Sequence, residues 1–282
     1  MRAEILIDVA ATLGEGPRWD AERSRLLWVD IEPGELHVWD GAADRVTACG
    51  ARVGAAAPAE GGGILVALAD RLAFVGEDGA IRGAHPIPHS AELRMNDGAC
   101  DARGRFWVGS MRLDERGWDG ALYRYDGREL VTVLDGVGLS NGIGWSPDGT
   151  LMYYVDTLTR RIDVFDYDGE IANRRPFVRI DAADGFPDGL AVDDEGGVWL
   201  ALWGGRAVRR YGADGRLEEQ LDLPAEHVTA CCFGGAGGRT LFVTTAAPDG
   251  RVYVVEDAGV AGPPAAPFRS TAPSEAEPTS AR

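Results

Sequence analysis

Residues 146–169 read SPDGTLMYYVDTLTRRIDVFDYDG, and this stretch contains the structural unit that recurs along the chain. A Ser-Pro-Asp-Gly turn leads into a short apolar and aromatic strand, MYYVD. A second turn leads into the strand IDVFDY, which ends at an Asp-Gly tip. Because the strands are short and no helical periodicity separates them, the unit predicts β-structure.

The same unit can be found six times in the sequence. Its central strand residue recurs at spacings of 37–47 residues, at Trp28, Leu65, Trp107, Tyr154, Trp199 and Phe242. A period of roughly 40–50 residues with about four strands per unit is typical of a β-propeller. The sequence therefore predicts an all-β fold, a six-bladed β-propeller.

The two ends of the chain indicate how the ring closes and where the domain ends. Residues 4–9 alternate in polarity and precede the first full unit, so we expect this strand to pair with the last blade and close the ring. Residues 1–257 then form a single propeller domain. Residues 258–282 form a tail rich in Pro, Ala and Ser, and we expect its end to be disordered.

Charge and composition exclude several classes of function. The 282 residues carry 45 acidic and 28 basic side chains, a net charge of −17, which argues against nucleic-acid or membrane partners. All the basic residues are arginine, which excludes a Schiff-base lysine and a Walker A lysine. The sequence shows no membrane-spanning segment, no signal peptide and no CxxC spacing. We expect a cytoplasmic protein with reduced thiols, a monomer or weak homodimer.

Four oxygen-bearing side chains occupy equivalent positions in the repeat. Glu15 and Asn141 lie 13 residues before their central strand residues, and Asn96 and Asp188 lie 11 residues before theirs. All four therefore fall where the first, innermost strand of a blade begins. In a propeller these positions surround one mouth of the central channel, so the side chains are expected to converge there.

Convergence of these oxygens predicts a cation site. Glu15 and Asp188 would repel each other unless a cation lay between them, and an all-oxygen ligand set favours hard cations such as Ca²⁺, Mg²⁺ or Mn²⁺. Three protein ligands leave coordination positions open, as in catalytic metal sites. The alternative is that each Asn-Gly or Asp-Gly pair is simply a turn.

Arg94 lies two residues before Asn96, so both side chains can face the same side of an extended segment. Its guanidinium could donate to a carbonyl or a hydroxyl-rich ligand at the channel mouth. A salt bridge to one of the many acidic residues is an equally good interpretation from the sequence.

Several motifs together resemble the regucalcin/gluconolactonase (senescence-marker-protein) family. They are LGEGP from residue 13, RMNDG from 94, LSNG from 139, PDG from 187 and TACCFGG from 229. The resemblance covers residues 10 to 255, in order and at compatible spacing. It implies a six-bladed propeller that hydrolyses sugar lactones, of the gluconolactone type, to aldonic acids with one divalent metal ion.

The resemblance also implies roles for individual residues. The metal ligands fall on Glu15, Asn141 and Asp188, and the substrate contacts fall on Arg94 and Asn96. Asp188 would also be catalytic, as the general base that accepts a proton from the attacking water. The metal could be Ca²⁺, Mn²⁺, Mg²⁺ or Zn²⁺. A further acidic substrate contact of the family could be Asp114, Glu115 or Asp119.

Two other functions are compatible with the same ring of residues. One is a hydrolase of the paraoxonase or organophosphatase type on the same propeller. The other is a propeller without enzymatic activity that binds calcium or a protein.

Overall fold

The computed structural model describes residues 1–270, and these contain 24 β-strands and three short 3₁₀ helices. The strands form six four-stranded antiparallel sheets, so the predicted six-bladed β-propeller is confirmed. In five of the six sheets the strands follow chain order, because each strand is connected to the next by a short turn or loop.

The bounds of the elements, blade by blade, are as follows. Blade 1 contains β2 (Gly14–Asp20), β3 (Arg25–Asp30), β4 (Glu35–Trp39) and β5 (Asp44–Ala48). Blade 2 contains β6 (Val53–Pro58), β7 (Ile64–Leu68), β8 (Arg71–Val75) and β9 (Ile81–Pro86). Blade 3 contains β10 (Leu93–Cys100), β11 (Phe106–Arg112), β12 (Gly120–Tyr125) and β13 (Leu130–Val137).

Blade 4 contains β14 (Ser140–Trp145), β15 (Leu151–Asp156), β16 (Arg161–Tyr167) and β17 (Ile171–Arg179). Blade 5 contains β18 (Phe186–Val192), β19 (Val198–Trp203), β20 (Ala207–Tyr211) and β21 (Leu217–Asp222). Blade 6 contains β22 (Val228–Gly234), β23 (Thr240–Thr245), β24 (Val252–Val255) and the N-terminal strand β1 (Glu4–Ile7). The 3₁₀ helices are Thr157–Thr159, Ala182–Asp184 and Ala236–Gly238.

The N-terminal strand closes the ring as predicted. β1 pairs with β24 in antiparallel register, with Glu4 opposite Val254. The strand ends at Ile7, two residues before the predicted end. Pairing the two ends of the chain in one sheet covers the edge that β24 would otherwise expose.

The core consists of the central strands of the blades. The six repeat positions identified in the sequence all lie on the second strand of a blade, and Trp28, Trp107, Tyr154 and Trp199 are fully buried. All four cysteines are buried free thiols, as the sequence predicts. None of the helices within residues 1–270 is long and apolar enough to cross a membrane.

The segment after the last strand packs against the propeller. Phe268 is buried, its ring stacked on Tyr125 and tilted against Phe74, and it forms a bridge with Ala59. This contact was not predicted from the sequence. The predicted disorder concerns residues 271–282, which lie outside the described part of the chain.

A buried carboxylate connects the core tryptophan of blade 3 to its neighbours. Asp101 accepts hydrogen bonds from the Trp107 indole (2.9 Å), the Tyr167 hydroxyl (2.7 Å) and the Arg105 guanidinium (2.8 Å). Burial alone would raise the pKa of Asp101, but these donors outweigh it, so its pKa lies below the ordinary value. Asp193 bonds Trp199 in the same way in blade 5.

Replacing this carboxylate should destabilise the fold. We expect Asp101→Asn to lower the free energy of unfolding by about 1.5–3 kcal/mol, because a charged acceptor of several buried donors is lost. Urea unfolding followed by tryptophan fluorescence measures this. Asp168→Asn is the matched control, since Asp168 is exposed and its carboxylate is paired with the exposed Arg103, and it should unfold like the wild type. Equal stability of the two variants would contradict the role of Asp101.

Candidate active site

The first strands of the six blades line the central channel. β2, β6, β10, β14, β18 and β22 contact one another in a closed ring. Close to the start of each of these strands, its pairing with the second strand of the same blade shifts in register. The shifts lie at 15–18, 53–55, 95–98, 140–143, 187–190 and 228–230. A bulge reorients the side chains at which it occurs. The bulge residues of four blades are the oxygen-bearing side chains singled out in the sequence.

The Asn-Gly and Asp-Gly pairs are not hairpin turns. Asn141-Gly142 lies inside β14 and Asp188-Gly189 lies inside β18, so the alternative interpretation is wrong. The glycines allow neighbouring blades to approach closely. A Cβ on Gly142 would lie 2.7 Å from the Leu190 nitrogen, and one on Gly189 would lie 2.4 Å from the Ala230 Cβ. The pairs therefore combine a functional side chain with close contact between blades.

Buried aspartates fix the loops that lead into two of these strands. Asp30, at the end of β3, accepts the backbone N–H of Thr12 and Leu13, both at 2.8 Å, just before Glu15. Asp156, at the end of β15, accepts the backbone N–H of Gly138 and Leu139 in the same way, just before Asn141. The entry of the inner strand is thus anchored from the second strand of the same blade.

One cavity of about 260 Å³ contains all the predicted site residues. Glu15, Asn141 and Asp188 are buried and line it together with Arg94 and Asn96. The structure therefore brings together side chains from blades 1, 3, 4 and 5. The volume is just below the ~300–1,000 Å³ of typical small-molecule sites, so it suits a ligand of a single ring.

A chain of hydrogen bonds orients the amide side chains. Arg94 Nη1 donates to Asn96 Oδ1 (2.6 Å), and Asn96 Nδ2 donates to Asn141 Oδ1 (3.0 Å). Asn141 Nδ2 donates to Thr157 Oγ1 (2.8 Å), which donates to the Pro187 carbonyl (2.8 Å). The Thr157 bond fixes which atom of the Asn141 amide is the oxygen that faces Asn96. Sequence reasoning missed Thr157, because it lies outside the repeat positions.

Arg94 forms no ion pair with any residue among 1–270, so the salt-bridge interpretation of this residue is not what the structure shows. Its side chain is buried, lines the cavity and donates to Asn96 and to the Met95 carbonyl. Arg94 therefore lines the same cavity as Asn96.

The two carboxylates destabilise each other's charged form. Burial, and then the negative charge of Asp97, raise the pKa of Glu15 to about 8, although the Gly16 amide and Arg94 oppose this. Burial, and then the charges of Glu15 and Asp97, raise the pKa of Asp188 well above its ordinary value. Asp188 Oδ1 is also buried, and no residue among 1–270 forms a hydrogen bond with it. A buried carboxylate oxygen that lacks a partner needs an explanation, and a cation supplies one.

The donor set fits a hard divalent cation. Two carboxylates and an amide oxygen are ligands of the kind that Ca²⁺, Mg²⁺ and Mn²⁺ prefer. The described residues contain no group of three or more His, Cys, Asp or Glu side chains that could hold a metal ion. The third oxygen donor of the present set is the amide of an asparagine. Glu15, Asn141 and Asp188 are thus the residues that could hold a metal.

The wall of the cavity above these polar groups is largely apolar. It consists of Leu13, Met111, Leu139, Leu158, Phe186 and Trp203. The Trp203 ring stacks on His227 with centroids 4.1 Å apart and planes at 9°, and His227 Nδ1 is bonded to the Ala247 carbonyl at 2.7 Å. The indole is therefore held in a fixed orientation as a flat apolar surface inside the cavity.

The three candidate acids near the mouth differ in their partners. Arg112 is bonded to Asp114 (2.9 Å) and to Asp119 (3.1 Å), which keeps both of these carboxylates in the loop. Glu115 has no ion pair with any described residue and lines the cavity. Its backbone is left-handed, with φ of 57°. Glu115 therefore lines the cavity, whereas Asp114 and Asp119 are bonded to Arg112.

Known proteins resemble this chain along most of its length. The sequence profile of the SMP-30/Gluconolactonase/LRE-like region matches residues 13–247. The pentonolactonase of Haloferax volcanii is 38% identical, covering 87% of this chain and 85% of its own. The L-arabinolactonase of Azospirillum brasilense is 37% identical, covering 91% and 87%. The crystal structure of regucalcin from Agrobacterium tumefaciens, a calcium-binding protein, superposes with a TM-score of 0.90 at 26% identity, covering 94% and 96%.

Binding of a divalent cation should depend on pH, because the ligands must lose protons. With the pKa of Glu15 at about 8 in the metal-free protein, this carboxyl is largely protonated at pH 7. We expect the affinity for Ca²⁺ or Mn²⁺ to rise between about pH 6 and pH 8, because Glu15 and Asp188 must lose their protons to bind the ion. Calorimetric titration in buffers of different ionisation enthalpy should show proton release at pH 7.

The control is Glu15→Gln, which has no proton to release at this position. It should bind the cation more weakly and release fewer protons. An affinity that is independent of pH across this interval, with no proton release, would contradict the electrostatic description of the site.

Proposed function

The chain belongs to the SMP-30/gluconolactonase/LRE-like family, and we propose that it hydrolyses a sugar lactone of the aldonolactone type to the aldonic acid, with one divalent metal ion held by Glu15, Asn141 and Asp188. The observation that carries this proposal is the pair of buried, mutually repelling carboxylates beside an amide oxygen, within a cavity of single-ring size. A lactone is a cyclic ester, so the reaction is an ester hydrolysis.

The bound ion would supply positive charge against the lactone carbonyl oxygen, which becomes negative as water adds. Asp188 then acts as the general base. It accepts a proton from the water while the water oxygen bonds to the carbonyl carbon, and it returns that proton to the ring oxygen when the ring C–O bond breaks. The site excludes bulk water from these carboxylates, because Glu15 and Asp188 are each only 5% exposed.

Arg94 and Asn96 are suited to orient the substrate. Asn96 is held between Arg94 and Asn141, so the substrate contacts and the metal ligands form one connected network. The fixed face of Trp203 supplies an apolar surface on which the C–H groups of a sugar ring can pack. This arrangement favours a hydroxylated ring over the phosphotriester of an organophosphatase.

Glu115 is the acidic residue that we assign to the substrate hydroxyls. Asp114 and Asp119 are already bonded to Arg112, whereas Glu115 faces the cavity without an ion pair to any residue among 1–270. A carboxylate at the mouth can accept hydrogen bonds from hydroxyl groups distant from the ester.

Replacing the proposed base should abolish turnover. We expect Asp188→Asn to reduce kcat/KM for an aldonolactone by at least ~10²-fold, because the proton acceptor and a metal ligand are lost together. A pH-indicator assay on gluconolactone measures this. Chelation with EDTA should abolish the wild-type activity, and adding back Ca²⁺ or Mn²⁺ should restore it.

The matched control is Asp184→Asn, four residues earlier in the chain, where the carboxylate is bonded to Arg209 instead of lining the cavity. This variant should retain wild-type activity. Activity that resists chelation, or an Asp188→Asn variant that turns over normally, would refute the proposal. Faster hydrolysis of a phosphotriester than of any lactone would favour the organophosphatase instead.

Replacing Glu115 should affect recognition of hydroxyl groups only. We expect Glu115→Gln to raise KM for a polyhydroxylated lactone about tenfold, with kcat little changed, since a charged hydrogen-bond acceptor is lost away from the ester. An unsubstituted δ-lactone should be hydrolysed equally well by the wild type and the variant. Asp119→Asn is the control and should leave KM unchanged. A larger effect of Asp119→Asn than of Glu115→Gln would overturn the assignment.

A further inference from the structure

A buried arginine lies on the same inner strand as the proposed metal ligand Glu15. Arg18 is on β2, three residues after Glu15, and its side chain is only 9% exposed. Its Nη2 donates to Asp97 Oδ1 (2.8 Å) and to the Gly98 carbonyl (3.0 Å), and its Nη1 donates to the Pro17 carbonyl (2.8 Å). Its Nε is buried and has no hydrogen-bond partner in the described part of the chain.

This ion pair joins blade 1 to blade 3 across blade 2. The inner strand of blade 2 is Val53–Pro58, which contains only Val, Gly, Ala and Pro. At Gly54 an added Cβ would lie 2.5 Å from the Met95 carbonyl oxygen, so this strand packs its backbone directly on β10. Because blade 2 contributes no large side chain here, a long side chain from β2 can reach β10.

The partner of Arg18 acts on the proposed metal ligands. Asp97 is 2% exposed at the side chain and lies in the same bulge of β10 as Asn96. Its negative charge raises the pKa of both Glu15 and Asp188, so it lies within electrostatic range of both carboxylates. The positive charge of Arg18 acts on Glu15 in the opposite direction.

Asp97 therefore adds a third negative charge to a site that already has two, and Arg18 opposes it. With Arg94 included, these five side chains carry a formal charge of −1 when all are ionised. Neither Arg18 nor Asp97 lines the cavity, so neither is placed to touch a substrate. Both act on the site through the field that they create there.

We propose that Arg18 and Asp97 form a positioning pair that sets the affinity of the site for its divalent cation, with Asp97 strengthening binding and Arg18 limiting it. This inference rests on the proposed function, because it presupposes that Glu15, Asn141 and Asp188 bind a cation. If the pair only stabilised the fold, replacing either residue would change cation affinity in the same direction. If the pair acts through its charges, replacing Asp97 and replacing Arg18 change cation affinity in opposite directions.

The test is calorimetric titration of Ca²⁺ and of Mn²⁺ into metal-free protein, for the wild type, Arg18→Met, Asp97→Asn and the double variant. We expect Asp97→Asn to weaken binding at least about tenfold and Arg18→Met to strengthen it at least about tenfold. The double variant should bind within about threefold of the wild type, since both charges are removed. Arg18→Lys, which keeps the charge, should resemble the wild type.

If Arg18→Met does not fold, the comparison of Asp97→Asn with the double variant still decides the question. Removing the unpaired arginine charge from Asp97→Asn should then restore cation affinity. Weakening by both single variants, or no change in either, overturns the inference while the proposed function stands. A wild-type protein that binds neither cation overturns the proposed function itself.

Discussion

Burial of Glu15 and Asp188 beside each other at one end of the channel is the constraint on which the rest of the site depends. Each carboxylate loses water, and each is repelled by the other and by Asp97. In a flexible structure the side chains would turn towards solvent. Here they are held by inner strands that are packed in a closed ring, and the loop before Glu15 is also anchored to Asp30 at the end of the second strand of its blade. The scaffold therefore maintains an arrangement that its own electrostatics disfavour, which is characteristic of functional sites.

The same local irregularity serves different purposes in different blades. All six inner strands have a register shift close to their first residues, so the blades present equivalent positions to the channel. Blades 1, 3, 4 and 5 use them for charged or amide side chains. Blade 2 has Gly54 there and contributes space. Blade 6 has Thr229, whose hydroxyl donates to the Gly14 carbonyl (2.6 Å) and joins the two ends of the ring. The asymmetry of the site thus comes from single residues on a symmetric framework.

The sequence predicted the features that the repeat encodes. Central residues such as Trp107 and Trp199 recur at blade spacing, so the number of blades and the location of Glu15, Asn141 and Asp188 could be derived from it. Features that depend on individual side-chain contacts could not. Arg18 reaches Asp97 only because blade 2 is lined with small residues, and Glu115 is distinguished from its neighbours only by the bonds of Arg112.

Phe268 lies in a Pro- and Ala-rich segment without strand periodicity, and its burial depends on the pocket between Tyr125 and Phe74. None of these contacts can be derived from the spacing of residues along the chain.

The charge distribution also bears on the direction of the proposed reaction. A lactone is neutral and can enter a cavity whose mouth carries Glu115 without being repelled, and the apolar wall formed by residues such as Trp203 and Phe186 favours its ring over water. The aldonate that forms is an anion inside a protein of net charge −17. Its carboxylate would be attracted to a cation held at the proposed site, but the negative charges of Glu15, Asp97 and Asp188 would limit that attraction, and the negative field of the protein would repel the product. A strongly acidic chain is therefore suited to releasing an acidic product, and the charge that we propose for Asp97 beside the metal ligands would contribute to that release.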